Sequence, residues 1–314
     1  NDGDIIRTVF DNNSFLKKIE TSDTIGIIGL GLTMIDVSRM LISKLNGTFK
    51  AIENSCLLTY NFDKRHTLKI IPYSFDGLLM VPKPYGRKID AKFEPLQSQK
   101  NKFKLKVKNA ISASKKISSA RFFIDAFSVI ASEIFIKNRK NNEFKKSEIK
   151  EVISTWLSKD QFQHDLILDT KLDPREYMIT CIEMAHGMRD FTLDFTIGQV
   201  WRHLQPIMYR LFAFPDIEDK TIKEIIEIDE RVKRYSYGPP VESILQLIAL
   251  QDAGILDLSF ANDPTVTLSQ KGWKLKTKDK NVICPILINS VLDPPAISKI
   301  STNIIKNLRE NKLI

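Results

Sequence analysis

The stretch Ile25-Gly26-Ile27-Ile28-Gly29-Leu30-Gly31-Leu32-Thr33-Met34-Ile35-Asp36-Val37 decides how this chain is read. Ile25–Ile28 is a short apolar run of the kind that forms a buried parallel strand. It leads straight into Gly29-Leu30-Gly31, after which Met34, Val37, Leu41 and Leu45 recur at helical spacing as far as Asn46. Gly47 stands where the residue after a helix terminus would, and Phe49–Ile52 offers the next strand. Strand, glycine turn, helix, strand is a βαβ unit. In such a unit the first glycine permits a tight turn and the second lets a pyrophosphate approach the backbone. The helix start supplies unpaired N–H groups. Gly29, Gly31, Leu32 and Thr33 are therefore candidate dinucleotide-binding residues. The third fingerprint position, where glycine or alanine lets helix and strand pack closely, is Met34, and a βα turn without a ligand would satisfy the same partial pattern.

Upstream, residues 11–24 read as a short helix carrying Phe15, Leu16 and Ile19. Downstream, the region from 60 to 112 contains Pro72, Pro82, Pro84 and Pro95. Its alternation Lys102-Phe103-Lys104-Leu105-Lys106-Val107-Lys108 suits either an exposed edge strand guarded by lysines or a solvated basic loop. From residue 115 to 235 the pattern turns helical, with Ile149, Val152, Ile153, Trp156 and Leu157 as its clearest amphipathic stripe. Asp173-Pro174-Arg175-Glu176 is a strong helix start, and that helix is expected to reach Arg189. A helix from Phe195 to Phe214, interrupted at Pro206, and another over Thr221–Arg234, with Ile222, Ile225, Ile226 and Val232 inward, follow. Val241–Ala253 reads as a helix stopped by Gly254. Ile255–Phe260, Thr265–Ser269, Trp273–Lys278 and Val282–Asn289 read as strands, and Ile297–Leu308 as a final amphipathic helix.

The chain has 314 residues, 43% hydrophobic and 27% charged, which is the balance of an ordered globular protein. No apolar run approaches the roughly 18 to 20 residues of a membrane-spanning helix. The start, Asn1-Asp2-Gly3-Asp4, is acidic and lacks both a methionine and a hydrophobic stretch, so a fragment without a signal peptide is expected. Cys56, Cys181 and Cys284 are an odd set without a Cys-x-x-Cys pair, which favours a reducing, cytoplasmic setting over a disulfide framework. His66, His164, His186 and His203 show no metal-ligand spacing, and no metal is expected.

The net charge is +9, and it is unevenly held. Between Lys83 and Lys150 there are 18 Lys and Arg against 6 Asp and Glu, so the remainder of the chain is slightly acidic. Clustered lysines permit nucleic-acid binding through segment 83–150. A solvated surface is the plainer reading, because Phe122, Phe123 and Phe127 sit at core-like helical spacing. Val241–Lys278 also admits a winged-helix reading, although helix 241–253 holds Glu242 and Asp252 and no basic residue. His186 and Asp190, four apart, form a candidate acid/base pair or, more plainly, a helix-surface hydrogen bond.

Gly29-Leu30-Gly31-Leu32-Thr33-Met34-Ile35-Asp36-Val37 resembles the second glycine-rich turn of bacterial FAD/NAD(P)-binding proteins, two-dinucleotide-domain flavoproteins related to the lysine and ornithine N-monooxygenases. In that family the turn opens an NAD(P)-binding domain inserted within the FAD-binding domain. Members carry a Ser-Arg-Arg-Gly-Leu-type motif after the second strand. Here Asn54 and Ser55 replace both arginines, within Ala51-Ile52-Glu53-Asn54-Ser55-Cys56-Leu57-Leu58. Arginine there would grip a 2′-phosphate, whereas Glu53 is placed to bond a ribose 2′-OH, so NADH is expected over NADPH. Pro285-Ile286-Leu287-Ile288-Asn289-Ser290 resembles the strand that re-enters the FAD domain, without the family's following Thr-Gly. The resemblance frames both ends of the chain and leaves 85–235 undescribed.

The expected architecture is therefore α/β: a Rossmann-like NAD(P)-binding region over 1–112, an α-helical insertion over 113–237, and a return to α/β over 238–314. Candidate cofactor-binding residues are Gly29, Gly31, Leu32, Thr33, Glu53 and Asn54. The resemblance implies hydride transfer from NAD(P)H to a flavin. The sequence holds one Gly-x-Gly, so FAD is expected to need a part absent from this chain. No catalytic residue and no particular small-molecule substrate are assigned. The competing expectation is a non-catalytic interaction protein with a degenerate dinucleotide site; the third is the nucleic-acid module.

Overall fold

The computed structural model describes residues 5–6, 19–21, 23–113, 117–139, 143–159, 162–213, 215–292 and 300–313. Residues 11–18 of the helix expected over 11–24 and the start of the one expected at Ile297 lie outside them; residues 19–21 and 23 are not helical, and Thr24 already begins a strand of the sheet. The protein is a mixed α/β structure with one parallel sheet, two small antiparallel sheets and ten α-helices among the described residues. Strands β1 (Ile5–Ile6), β2 (Thr24–Ile28), β5 (Lys69–Tyr73) and β9 (Ile286–Asn289) form the parallel sheet in the order β1-β9-β2-β5.

Strand β2 lies in the middle of this sheet, and both neighbours pair with it in parallel: Gly26 stands opposite Ile71 on one side and Leu287 on the other. Ile25 and Ile27 are fully buried, as expected for a strand covered on both faces. The chain leaves β2 through Gly29–Gly31 into α1 (Leu32–Ile42), which presses Met34, Ile35, Val37 and Leu41 into the core. A short 3₁₀ turn, Ser43–Leu45, extends it, and Asn46 takes the left-handed conformation (φ 48°) expected of Gly47. Gly47 serves packing instead: a Cβ there would sit 2.4 Å from the Tyr60 ring.

Strands β3 (Thr48–Ala51) and β4 (Leu58–Asn61) then form a separate antiparallel hairpin. It packs by β4 on the later helix Val241–Asp252, and β5 takes the place beside β2. Past β5, the sheet edge continues through single parallel bridges, Ile70 to Leu256 and Ser74 to Asn262. The expected strand Ile255–Phe260 is reduced to this contact and a 3₁₀ turn, Leu258–Phe260.

Helices α2 (Gly86–Asp90), α3 (Gln97–Ala113), α4 (Arg121–Asn138), α5 (Lys146–Ser158), α6 (Pro174–His186), α7 (Leu193–Phe212), α8 (Asp219–Ser236) and α9 (Val241–Asp252) fill the span between β5 and the second half of the sheet. They begin well ahead of residue 113. The alternating lysine segment is neither edge strand nor loop but part of α3: Phe103 and Val107, one helical turn apart, are buried, and the lysines cover the rest of its surface. The stripe Ile149, Val152, Ile153, Trp156 and Leu157 is buried as its spacing requires. Asp173 caps α6 by accepting from the Arg175 N–H at 2.9 Å, with Pro174 in the first turn. That helix stops at His186 because Gly187 turns left-handed (φ 68°).

Helix α7 runs unbroken through Pro206, held on both sides of it by buried Leu204 and Met208. On α8 the inward residues are Thr221, Ile225, Ile228 and Val232, while Ile226 is exposed and Ile222 only half-buried. Trp201 of α7 packs edge-on against Phe123 and Phe127 of α4, and its indole N–H donates to Asp229 Oδ1 at 2.8 Å. Each such side chain fully withdrawn from water contributes roughly 1.5–3 kcal/mol. One connected core joins β2 to this aromatic cluster.

Strands β6 (Thr265–Ser269), β7 (Gly272–Lys276) and β8 (Asn281–Cys284) form an antiparallel sheet. The expected strand Val282–Asn289 is split: Pro285 lacks a ladder N–H, and it stands where β8 ends and β9 turns into the parallel sheet. Helix α10 (Asn303–Glu310) has no buried residue.

Candidate functional site

Strands β2, β5 and β9 end together at Ile28, Tyr73 and Asn289, and their carboxyl ends are tied to one another. The Gly29 N–H donates to the Tyr73 carbonyl at 2.7 Å. The Ile28 carbonyl accepts from the Ser290 N–H at 2.9 Å and from Ser290 Oγ at 2.6 Å. The connection leaving β2 passes by way of α1 to β5, whereas β9 arrives on the opposite side. The turn Gly29–Gly31 thus stands where strand order reverses, the place at which open parallel sheets form a crevice.

Gly29 holds φ at +105°, a conformation that side-chain-bearing residues rarely adopt, and an added Cβ would meet Ser290 Oγ at 2.8 Å. Its glycine is required by the fold. Gly31 is different. It is the N-cap of α1 with φ −85° and ψ −167°, ordinary extended backbone, and an added Cβ would meet none of the described residues within 4 Å. Among the described residues no side chain caps α1, and its first turn contains no acidic residue, so its free N–H groups and the positive end of the helix dipole suit an anion. Leu32 is exposed and Thr33 half-buried at this opening. Met34 is fully buried and accepts a weak hydrogen bond from Ser38 Oγ. Burial holds the Tyr73 phenol, beside the turn, up to about 12, so it stays neutral.

Glu53 and Asn54 do not join this group. They lie exposed in the turn of the β3–β4 hairpin, where Asn54 has φ +57°, the Ile52 N–H donates to the Leu57 carbonyl, and neither side chain hydrogen-bonds the glycine turn. A ribose-reading acid ends the strand next to the first one, and that place belongs to β5. His186 and Asp190 also stay apart. The helix ends between them, the His186 ring packs tilted against Tyr85 with centroids 4.5 Å apart, and Asp190 is exposed. Helix α9 buries Ile244, Leu247, Ile248 and Leu250 against its neighbours, so it is no winged-helix recognition element. In segment 83–150, Phe123 and Phe127 belong to the core. Two of its lysines are paired, Lys100 with Glu94 at 2.8 Å and Lys146 with Glu133 at 2.7 Å. Among the described residues, no three His, Cys, Asp or Glu side chains converge as a metal site, and no helix is long and apolar enough to cross a membrane.

Two further groups escape sequence reading. A cleft of about 620 Å³ opens beyond the end of β5, lined by Phe75, Asp76, Lys171 and Arg234 among others. Burial would raise the Asp76 carboxyl, but the Arg234 charge and hydrogen bonds from Arg234, the Leu78 N–H and Ser74 outweigh it and hold it below its usual range. Tyr235, which also lines the cleft, belongs to a buried cluster in which burial raises the Asp194 carboxyl and lifts the Tyr177 and Tyr235 phenols well above their ordinary range. The only local signal for the cleft is the turn Ser74-Phe75-Asp76-Gly77 after a strand; its partners Lys171 and Arg234 lie far along the chain.

No protein-family model and no curated protein matches the sequence. The functional reading rests on the geometry and on the residues of the turn.

Proposed function

We propose that this chain is the NAD(P)H-binding part of an FAD-dependent oxidoreductase-like protein, a Rossmann-like unit into which the helices of 86–252 are inserted. The observation that carries the reading is Gly31: a glycine whose absent Cβ would meet none of the described residues, at an uncapped helix N-terminus, on the middle strand of a parallel sheet, where strand order reverses. Gly29 makes the turn, Gly31 leaves room for a pyrophosphate, and the N–H groups at Leu32 and Thr33 are the natural anion donors. Bound here, the nicotinamide dinucleotide supplies a hydride, for which a flavin held by residues outside this chain is the acceptor. The role of this chain is to bind and orient, and none of its residues is given a chemical step. The substrate of the flavin is outside the reading.

The experiment is a calorimetric titration of the 314-residue chain with NADH and with NADPH, repeated on Gly31→Val. Saturable binding lost in the variant supports the site, since a Cβ there meets none of the described residues. A second reading, an interaction protein that keeps the scaffold without the cofactor, is favoured by Met34 at the third fingerprint position and by the hairpin that carries Glu53 out of the sheet. Absence of binding to the unaltered chain would select it.

A further inference from the structure

The cleft beyond β5 is built with more care than an incidental groove. Its floor is the turn after Tyr73, tied down at Ser74, whose N–H donates to the Ala261 carbonyl at 2.9 Å and whose carbonyl accepts from the Asp263 N–H at 2.9 Å. Within the turn, Ser74 Oγ and the Leu78 N–H both donate to Asp76 Oδ1, at 3.0 and 3.1 Å. The other Asp76 oxygen takes the Arg234 guanidinium. Asp76 is therefore spent on holding the wall and is charge-compensated there. Two lysines, Lys159 and Lys171, line the cleft beside that Asp76–Arg234 pair, and Asp76 is the one acid among its described lining residues. At its mouth Phe75 is 90% exposed. A turn pinned on either side of a phenylalanine holds the ring out in water, where it offers a flat apolar face beside the lysines.

We infer that this cleft binds a nucleoside phosphate, with the base against Phe75 and the phosphate toward Lys171 and Lys159. The volume, about 620 Å³, falls in the range of small-molecule sites. Bases stack on aromatic faces, and phosphate oxygens take charge-assisted hydrogen bonds from lysine and arginine. The position bears on the source. β5 is the immediate neighbour of β2, and the Gly29 N–H bonds the Tyr73 carbonyl two residues before Phe75, so cleft and glycine turn open on the same sheet edge. One source is the 2′-phosphoadenosine end of NADPH lying across that edge, which rests on the dinucleotide reading above; the other is a free nucleotide, which does not.

The test is an equilibrium titration of the full chain with adenosine 2′-monophosphate, adenosine, NADPH and NADH. It is repeated on Phe75→Ala and Lys171→Gln, both at exposed positions, and on Gly31→Val. Adenosine 2′-monophosphate should bind saturably, and adenosine about 10-fold more weakly for want of the charge-assisted bonds. Phe75→Ala should weaken the nucleotide about 5-fold or more through lost stacking. Lys171→Gln should weaken the nucleotide and leave adenosine unchanged. If the source is the cofactor, NADPH binds more tightly than both NADH and the mononucleotide, and Gly31→Val removes that advantage while the mononucleotide still binds. If the mononucleotide binds and NADPH binds no better, the cleft stands as a free-nucleotide site and the dinucleotide reading falls. The inference is overturned if adenosine 2′-monophosphate does not bind, or binds Phe75→Ala and Lys171→Gln as tightly as the unaltered chain.

Discussion

The carboxyl edge of the parallel sheet and the helical block use glycine in opposite ways. On α7, a Cβ at Gly198 would stand 2.1 Å from Tyr235 Cβ and 2.9 Å from the Tyr235 carbonyl carbon, so the absent side chain is what lets α7 and α8 meet. On α1, a Cβ at Gly31 would touch none of the described residues. The same contrast runs through their surroundings. The block closes over Phe123, Phe127, Phe195 and Trp201, each no more than 1% exposed. The sheet edge leaves Leu32, Phe75, Val291 and Leu292 exposed at the ends of three different strands. Protein interiors are close-packed, so unfilled room beside an uncapped helix start marks a surface shaped for something other than the chain itself. In the function proposed above, one region carries stability and the other binding.

The comparison breaks most visibly at Trp201. Trp201→Ala removes the centre of the aromatic cluster and the partner of Asp229, and should cost about 4 kcal/mol in urea unfolding. It should leave dinucleotide binding intact wherever the chain still folds. A loss under about 1 kcal/mol would mean that the block is not held by this core. Gly198→Val comes next, at about 3 kcal/mol, because backbone and side chain of Tyr235 must both move. A variant as stable as the unaltered chain would remove the close-approach argument for that glycine.

A smaller effect sharpens the contrast through pH. Asp194 is fully buried, accepts from the Leu168 N–H at 3.2 Å, and has its carboxyl raised chiefly by burial, so the folded protein keeps it protonated past its ordinary titration range. The unfolded chain ionises first. The stability this group lends is therefore complete at acid pH and declines as pH rises from the ordinary aspartate range toward the raised folded value. Asp194→Asn lacks that decline, and unfolding midpoints of the two proteins from pH 4 to 7 should diverge. Parallel profiles would show that the carboxyl ionises alike in both states. The smallest stability effect is expected at Gly31. Gly31→Val should cost only about 1 kcal/mol, the price of a poorer N-cap, while it removes dinucleotide binding. A loss as large as that of Gly198→Val would show that the open space is not open.

Much of this contrast is written locally in the sequence. The run Ile25–Val37 dictates strand, turn and helix because apolar period and glycine placement act over a few residues. The stripe of α5 and the cap Asp173-Pro174 are legible for the same reason. The lysine alternation of 102–108 misleads because lysines at every second position imitate a strand, while the Phe103 to Val107 interval carries the helix. The place of Glu53 depends on which strand lies beside β2. A pattern can foretell that a strand forms after α1 but not that β5, farther along the chain, takes the neighbouring position. The cleft is least legible of all. Asp76 and Arg234 are brought together by the packing of α8, and nothing in either neighbourhood announces the other.

Whether the glycine turn is a binding surface is decided by hydrogen exchange of the full chain with and without NADPH. The expected result is ligand-dependent protection confined to the amides of residues 29–34 and the adjoining turn 74–78, with the helical block unchanged. Protection absent from 29–34, or concentrated instead on the lysine-covered surface of α3, would contradict it.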